Sequence, residues 1–188
     1  IVLQKKIKKI CYREGTIVTT AAKEDEKSNY EMYYDYQENV ARIPSHRILA
    51  INRGEKEEFL KVKINKPEEK IIGLMERDIL KGQTQFNDYL KNTILDSWKR
   101  LIEPSIDREI RSDLTEKAEE KAIKVFGKNV RKYRTKLGIS QEKFAELAGL
   151  HRTYISDIER FQRSISLENI QKIADALQIE TYQLFIDE

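Results

Sequence analysis

The sequence predicts a mainly α protein: a helical region with one short strand over residues 1–126, followed by a compact domain of five short helices over 127–188. Three observations carry this expectation. Of the 188 residues, 36% are charged and only 9% aromatic, with seven glycines and three prolines, a composition that suits helices better than a sandwich or barrel. Apolar residues recur at three- and four-residue spacing through most of the chain. From Lys128 onward, glycines and capping residues divide that pattern at short intervals.

Leu3, Ile7 and Ile10 mark a first helix among lysines up to about Tyr12, which Gly15 interrupts. The chain opens on Ile1 already inside this run, so its beginning reads as cut from something longer. Lys23 to Asn29 is polar enough for an exposed loop, and a helical pattern follows from Tyr30 to about Val40. Pro44 and Ser45 signal a start, with Ser45 capping a helix from His46 to about Asn52 that Gly54 ends. Leu60, Val62 and Ile64 alternate with lysines and give the single strand. After Pro67, Ile71, Leu74, Met75 and Ile79 return to helical spacing, and a long helix runs from Phe86 to Ile102. Pro104 breaks it, and Ser105 opens another that reaches Phe126. Strong helix formers on both sides of Gly127 predict a continuous or slightly kinked helix through it, since one interior glycine costs only about 1 kcal/mol relative to alanine.

Several functional classes are disfavoured. Cys11 is the only cysteine, which excludes an intrachain disulfide and a thiolate zinc cage; His46 and His151, the only histidines, have no partner at metal spacing. No metal and no cofactor are expected. The carboxylates lie among lysines as on a solvated face, no nucleophile has an evident base, and no glycine-rich phosphate loop is present, so no catalytic set emerges. No apolar run approaches the roughly 18 residues of a membrane span, and the start lacks a signal-peptide layout, which predicts a cytoplasmic protein with no membrane partner. The net charge of +3 is small, yet it is segregated. Residues 127–163 hold nine Lys and Arg against four acids, whereas residues 164–188 hold one Lys against five. A basic surface beside an acidic one fits a nucleic-acid reader, and also a merely solvated face.

The punctuation of the last sixty residues is more specific. A helix over about Asn129 to Leu137 ends at Gly138; Ser140 caps a second, carrying Gln141, Phe144, Ala145 and Ala148, and Gly149 closes it. A tight turn between crossing helices requires positive φ, which glycine adopts without a Cβ clash. A third helix runs from His151 to about Arg160, with Ile155 and Ile158 on its buried side and His151, Arg152, Thr153, Ser156 and Asp157 facing out. This is the geometry that lays a helix into the major groove of double-stranded DNA. Arg152 has the planar fork that matches guanine O6 and N7, or else a phosphate. Gln141 stands at the positive end of a helix, either against a phosphate or as an ordinary polar first-turn residue. Tyr154 could reach the backbone or pack on the flank. Arg131, Lys132, Arg160 and Arg163 suit nonspecific phosphate contacts. A stripe of Leu167, Ile170, Ile173, Ala174 and Leu177 closes the core, and a last helix near Thr181 to Ile186 exposes more apolar surface than a small core needs.

The stretch SQEKFAELAGLHRTYISDIER at 140–160 resembles the lambda-repressor-like helix-turn-helix family, the xenobiotic-response-element-type regulators, and among them the controller proteins of restriction–modification systems. The resemblance spans residues 127–188. It implies a phosphate contact for Gln141, a groove-facing position for Arg152, Thr153 and Asp157, and a partly buried ion pair between Arg134 and Glu159. It also implies a homodimer through the C-terminal helix, the alternative being simple core closure. Phe161 departs from the family's glycine at the end of the third helix, which bears on the loop after Arg160.

YYDYQENVARIPSHRILAINRGEKEEFLKVKI at 33–64 and LDSWKRLIEPSIDREIRSDLTEKAEEKAIKVF at 95–126 resemble the interior N-terminal region of the transcription accessory protein Tex family. In that family the region precedes a ribonuclease-H-like domain, helix-hairpin-helix elements and an OB-type RNA-binding domain, so the nucleic-acid role held by the family's C-terminal part is not carried over. His46 and Arg47 stand out in the motif, and a capped helix packed in a scaffold accounts for them. The chain reads as a Tex-like piece joined, naturally or artificially, to a complete repressor-type domain. Two functions follow: a sequence-specific regulator that reads DNA through residues 151–160, or an interaction scaffold whose Tex-like part binds a transcription-machinery protein.

Overall fold

A computed structural model describes residues 2–23, 27–80, 82 and 85–187. The chain divides into two units, Ile1–Ala118 and Glu119–Glu188.

In the first unit, α1 (Val2–Glu14) leads into β1 (Thr16–Ala21), which pairs antiparallel with β2 (Asp35–Asn39) on one side and β3 (Leu60–Asn65) on the other. Thr16 lies opposite Asn39 and Asn65, so the register is set at the entrance of the central strand. Helix α2 (Ser45–Lys56) precedes β3; α3 (Glu68–Ile79), α4 (Asn87–Ser97) and the start of α5 (Glu103–Lys136) follow. Ile7, Cys11, Ile17, Ile64, Ile71, Met75, Trp98, Ile106 and Ile110 form the centre of the core. Burial pushes the Cys11 thiol up to about 11, which keeps it protonated and unreactive at neutral pH. Lys66 at the end of β3 is buried with its Nζ 2.7 Å from Asp107, 3.5 Å from Glu103 and 3.1 Å from the Ile64 carbonyl, so its charge is paired and hydrogen-bonded rather than stranded.

The structure corrects the sequence reading at several points. The expected helix from Tyr30 to Val40 is a short 3-10 turn, Glu31–Tyr33, followed by β2. The tyrosine spacing suits a helix, but pairing with β1 wins, and Tyr33 and Tyr36 meet edge to face at 5.3 Å. The single strand becomes a three-stranded sheet. Its centre, TIVTTA, is β-branched, and it escapes pattern reading because Thr19 takes a core position, where its hydroxyl donates to the Tyr33 carbonyl at 2.5 Å. Ser45 is the first residue of α2 rather than its cap, since Pro44 holds the N-cap with no side-chain bond. Gly54 does not end α2; it sits buried inside it against Leu60 and Tyr30.

Pro104 does not break the helix either. Trp98–Ile102 forms a π turn in which the Glu103 amide reaches the Trp98 carbonyl, and Pro104 follows in the first turn of α5, where the widened turn accommodates its ring and missing N–H. Helix α5 runs without a break through Gly127, so the first of the five expected C-terminal helices is its final part. Part of the expected loop at 23–29 lies outside the described residues.

The second unit continues with α6 (Gln141–Ala148), α7 (Arg152–Glu159) and α8 (Leu167–Leu177) around a core of Phe126, Val130, Phe144, Ile155, Ile158, Ile173 and Leu184. The last expected helix is a 3-10 turn, Thr181–Phe185. Asn129, buried in α5, donates through Nδ2 to the carbonyls of Leu184 at 3.0 Å and Ile186 at 2.9 Å, and Phe126 meets Phe185 at 5.3 Å. These contacts fix the C-terminal turn. Among the described residues no helix is long and apolar enough to cross a membrane.

Candidate nucleic-acid interface

The turn between α6 and α7 follows from its own residues. Ser140 takes an extended backbone, and its hydroxyl accepts from the Lys143 amide at 3.1 Å, satisfying one free donor of α6. Gly149 closes α6 at φ 62° and ψ 35°, a left-handed conformation open to glycine at no steric cost. The Leu150 amide returns to the Ala145 carbonyl at 2.9 Å, and α7 begins at Arg152. Ile155 and Ile158 enter the core, which fixes the rotation of α7: His151, Arg152 and Thr153 are exposed at its leading end, and Ser156 and Asp157 are half-buried along it.

A buried carboxylate ties α5, α6 and α7 together. Glu159 accepts from Arg134 Nε at 2.5 Å and Nη2 at 3.0 Å, and from Gln141 Nε2 at 2.8 Å, while Arg134 Nη1 donates to the Ile139 carbonyl at 2.7 Å. The fork geometry is the strong form of an ion pair, and hydrogen bonding to Glu159 raises the Arg134 pKa above its ordinary value. Gln141 is thus not a free arm at the start of α6, because one N–H of its amide is committed to Glu159. The sequence pattern carries no signal for that bond between residues 18 apart.

The remaining candidates are distributed around this centre. Arg160 is engaged with Asp157, Nη2 to Oδ1 at 2.9 Å. The Arg163 guanidinium lies 4.7 Å from the centroid of Tyr154, whose hydroxyl accepts from Asn169 at 2.9 Å, so Tyr154 packs on the flank toward α8. Arg131 and Lys132 come together with Lys128, Thr135 and Lys136 along α5, lining a shallow groove beside Phe161. Sequence reasoning singled out neither Lys128 nor Lys136. Phe161 adopts φ 63°, the conformation that a glycine would take there, and its ring lies against Gly127.

Comparison with known proteins matches two stretches of the chain. The Tex central region-like family model matches residues 1–126, and a helix-turn-helix model matches residues 130–184. The first region is similar to the uncharacterized protein YdcI of Bacillus subtilis, 48% identical over 133 residues, which is 69% of this chain and 18% of that protein. The chain therefore spans under a fifth of the length of this Tex-like relative. The second is similar to the control protein C.BamHI of Bacillus amyloliquefaciens, 52% identical over 61 residues, which is 32% of this chain and 75% of that protein. Among solved structures, the restriction-modification controller protein C.AhdI from Aeromonas hydrophila is 49% identical, covering 34% of this chain and 96% of its own, with a TM-score of 0.33. The chain belongs to the Tex central region-like family through residues 1–126 and carries, at 130–184, a helix-turn-helix domain of the DNA-binding transcription regulators.

Proposed function

We propose that residues 127–188 act as a separate domain that reads a specific double-stranded DNA sequence through α7, making the chain a cytoplasmic transcriptional regulator. The observation that carries this reading is the leading end of α7: Arg152, exposed and without an ion-pair partner among the described residues, stands beside Thr153 and His151 on a helix whose rotation Ile155 and Ile158 fix. In this reading Arg152 pairs with a guanine edge, and Thr153, Ser156 and Asp157 line the groove. Gln141, oriented by Glu159, offers its amide with the free backbone donors of α6 to a phosphate. Arg160 and Arg163 add sequence-independent attraction.

Selection of bound sequences from a random duplex pool at two salt concentrations tests the reading, because a sequence reader enriches one motif at both and a merely basic surface enriches none. On the selected motif, Arg152→Ala is expected to weaken binding about tenfold and to relax preference at one base pair. Equal weakening on random duplex would make Arg152 a phosphate contact instead.

The C-terminal turn supports a symmetric pairing of two copies. Tyr182, Phe185 and Ile186 are exposed on a segment that Asn129 and Phe126 hold in place. A two-fold dimer would read inverted half-sites about one helical turn apart, roughly 34 Å. Sedimentation of the chain with the selected duplex is expected to give two chains per duplex; a saturated one-to-one complex would exclude pairing.

A further inference from the structure

In the unit Glu119–Glu188 several cations are neutralised within the fold. Lys121 pairs with Asp187, Lys124 with Glu120, Lys143 with Glu146, Arg160 with Asp157 and Lys172 with Glu168, besides the Arg134–Glu159 pair. Lys128, Arg131 and Lys136 are different: none makes an ion pair among the described residues. With Lys132, they fall at i, i+3, i+4 and i+8 on the face of α5 opposite Phe126 and Val130, which enter the core. Like charges at these spacings repel along a helix; Arg131 and Lys136 have no ion pair among the described residues to offset that repulsion, and Lys128 has only the longer-range attraction of Asp187.

Phe161 completes the surface. Held at φ 63° with one edge of its ring against Gly127, it is 38% exposed and walls the same groove as the four cations. From Lys128 to Lys136 the strip is ~12 Å long at 1.5 Å per residue. At a rise of roughly 3.4 Å per nucleotide, this matches about three phosphates of one strand. Cations beside an exposed ring are the elements with which proteins hold a nucleic-acid backbone and its bases.

We propose that this face of α5, with Lys128, Arg131, Lys132, Lys136 and Phe161, is a second nucleic-acid site that binds the phosphodiester backbone independently of the reading end of α7. The strip would let one chain hold a second segment of nucleic acid while α7 occupies a groove. Duplex and single strand share the backbone chemistry, and the ring separates them, since only an unstacked base can lie on it.

The test uses the full chain carrying Lys128→Gln, Arg131→Gln and Lys136→Gln together. Affinity is measured against salt on a duplex lacking the selected motif and on a mixed-sequence single strand. The triple variant is expected to flatten the slope of log K against log salt by roughly 2–3 on duplex, at about 0.9 for each phosphate no longer neutralised, or by about 2 on single strand, at about 0.7 for each. A control with Lys5→Gln, Lys9→Gln and Lys91→Gln makes the same change in net charge at exposed positions elsewhere. Flattening on either ligand beyond that of the control supports the site and identifies its ligand; slopes equal to the control on both overturn it. Phe161→Leu is expected to weaken single-strand binding several-fold if the single strand is the ligand, and to leave duplex binding unchanged. Failure of the α7 reading would show separately, as absence of a selected motif, and would leave these slopes untouched.

Discussion

Replacing Arg134 by methionine is expected to destabilise the helix-turn-helix unit by about 3–5 kcal/mol, the usual cost of leaving a buried charge without its partner. Glu159 is only 6% exposed, and two of its three hydrogen bonds come from the Arg134 fork. Without the guanidinium, the carboxylate keeps one N–H from Gln141 and must either take up a proton or draw water into the junction of α5, α6 and α7. The double variant Arg134→Met with Glu159→Leu is expected to recover most of the loss, because two apolar side chains of similar volume leave no charge to solvate. Gln141→Ala removes only the third bond and should cost about 1 kcal/mol. Native-state hydrogen exchange at the amides of α6 and α7 reads these local free energies directly. A loss below about 1 kcal/mol for Arg134→Met would show that Glu159 is not held as a carboxylate by this pair.

Gly127→Ala is expected to cost about 2–3 kcal/mol, against the simple expectation that alanine favours a helix. A Cβ at residue 127 would lie 2.3 Å from the Ile158 carbonyl oxygen and 2.7 Å from a ring carbon of Phe161. The ring could turn aside, but the carbonyl belongs to the backbone at the end of α7. The helix-propensity gain of about 1 kcal/mol cannot absorb that overlap. The glycine is there because α5 and the end of α7 touch backbone to backbone. Since the displaced element is α7, affinity for duplex DNA should fall together with stability, which parallel measurement of thermal unfolding and duplex binding would reveal. A stabilised variant with unchanged affinity would mean that Gly127 is an ordinary helix interior.

The contrast between Ser140 and Gly127 explains which features were legible in the sequence. Ser140 and Gly149 act on neighbours within four residues, so capping and left-handed closure could be read from residue type and spacing, and the rotation of α7 followed from Ile155 and Ile158. Gly127 meets residues more than thirty positions away, and Gln141 meets Glu159 across a turn; spacing within one element carries no trace of either. The sheet was missed for the same reason. Thr19 occupies a core position only because Tyr33 brings it a carbonyl, and β2 exists only because β1 lies beside it. Pro104 misled because a π turn upstream supplies the room that an unbroken α pattern would deny it. At Phe161 the departure from glycine was visible in advance, whereas its outcome, a phenylalanine in the left-handed region braced on Gly127, depended on packing.

The buried amide of Asn129 makes the C-terminal turn depend on one side chain. Exchanging it for a carboxylate, as in Asn129→Asp, would replace a donor by a negative charge facing the carbonyls of Leu184 and Ile186, so attraction would turn to repulsion within one atom's change. The tail would be released from α5 before the helices on either side of the Gly149 turn were disturbed.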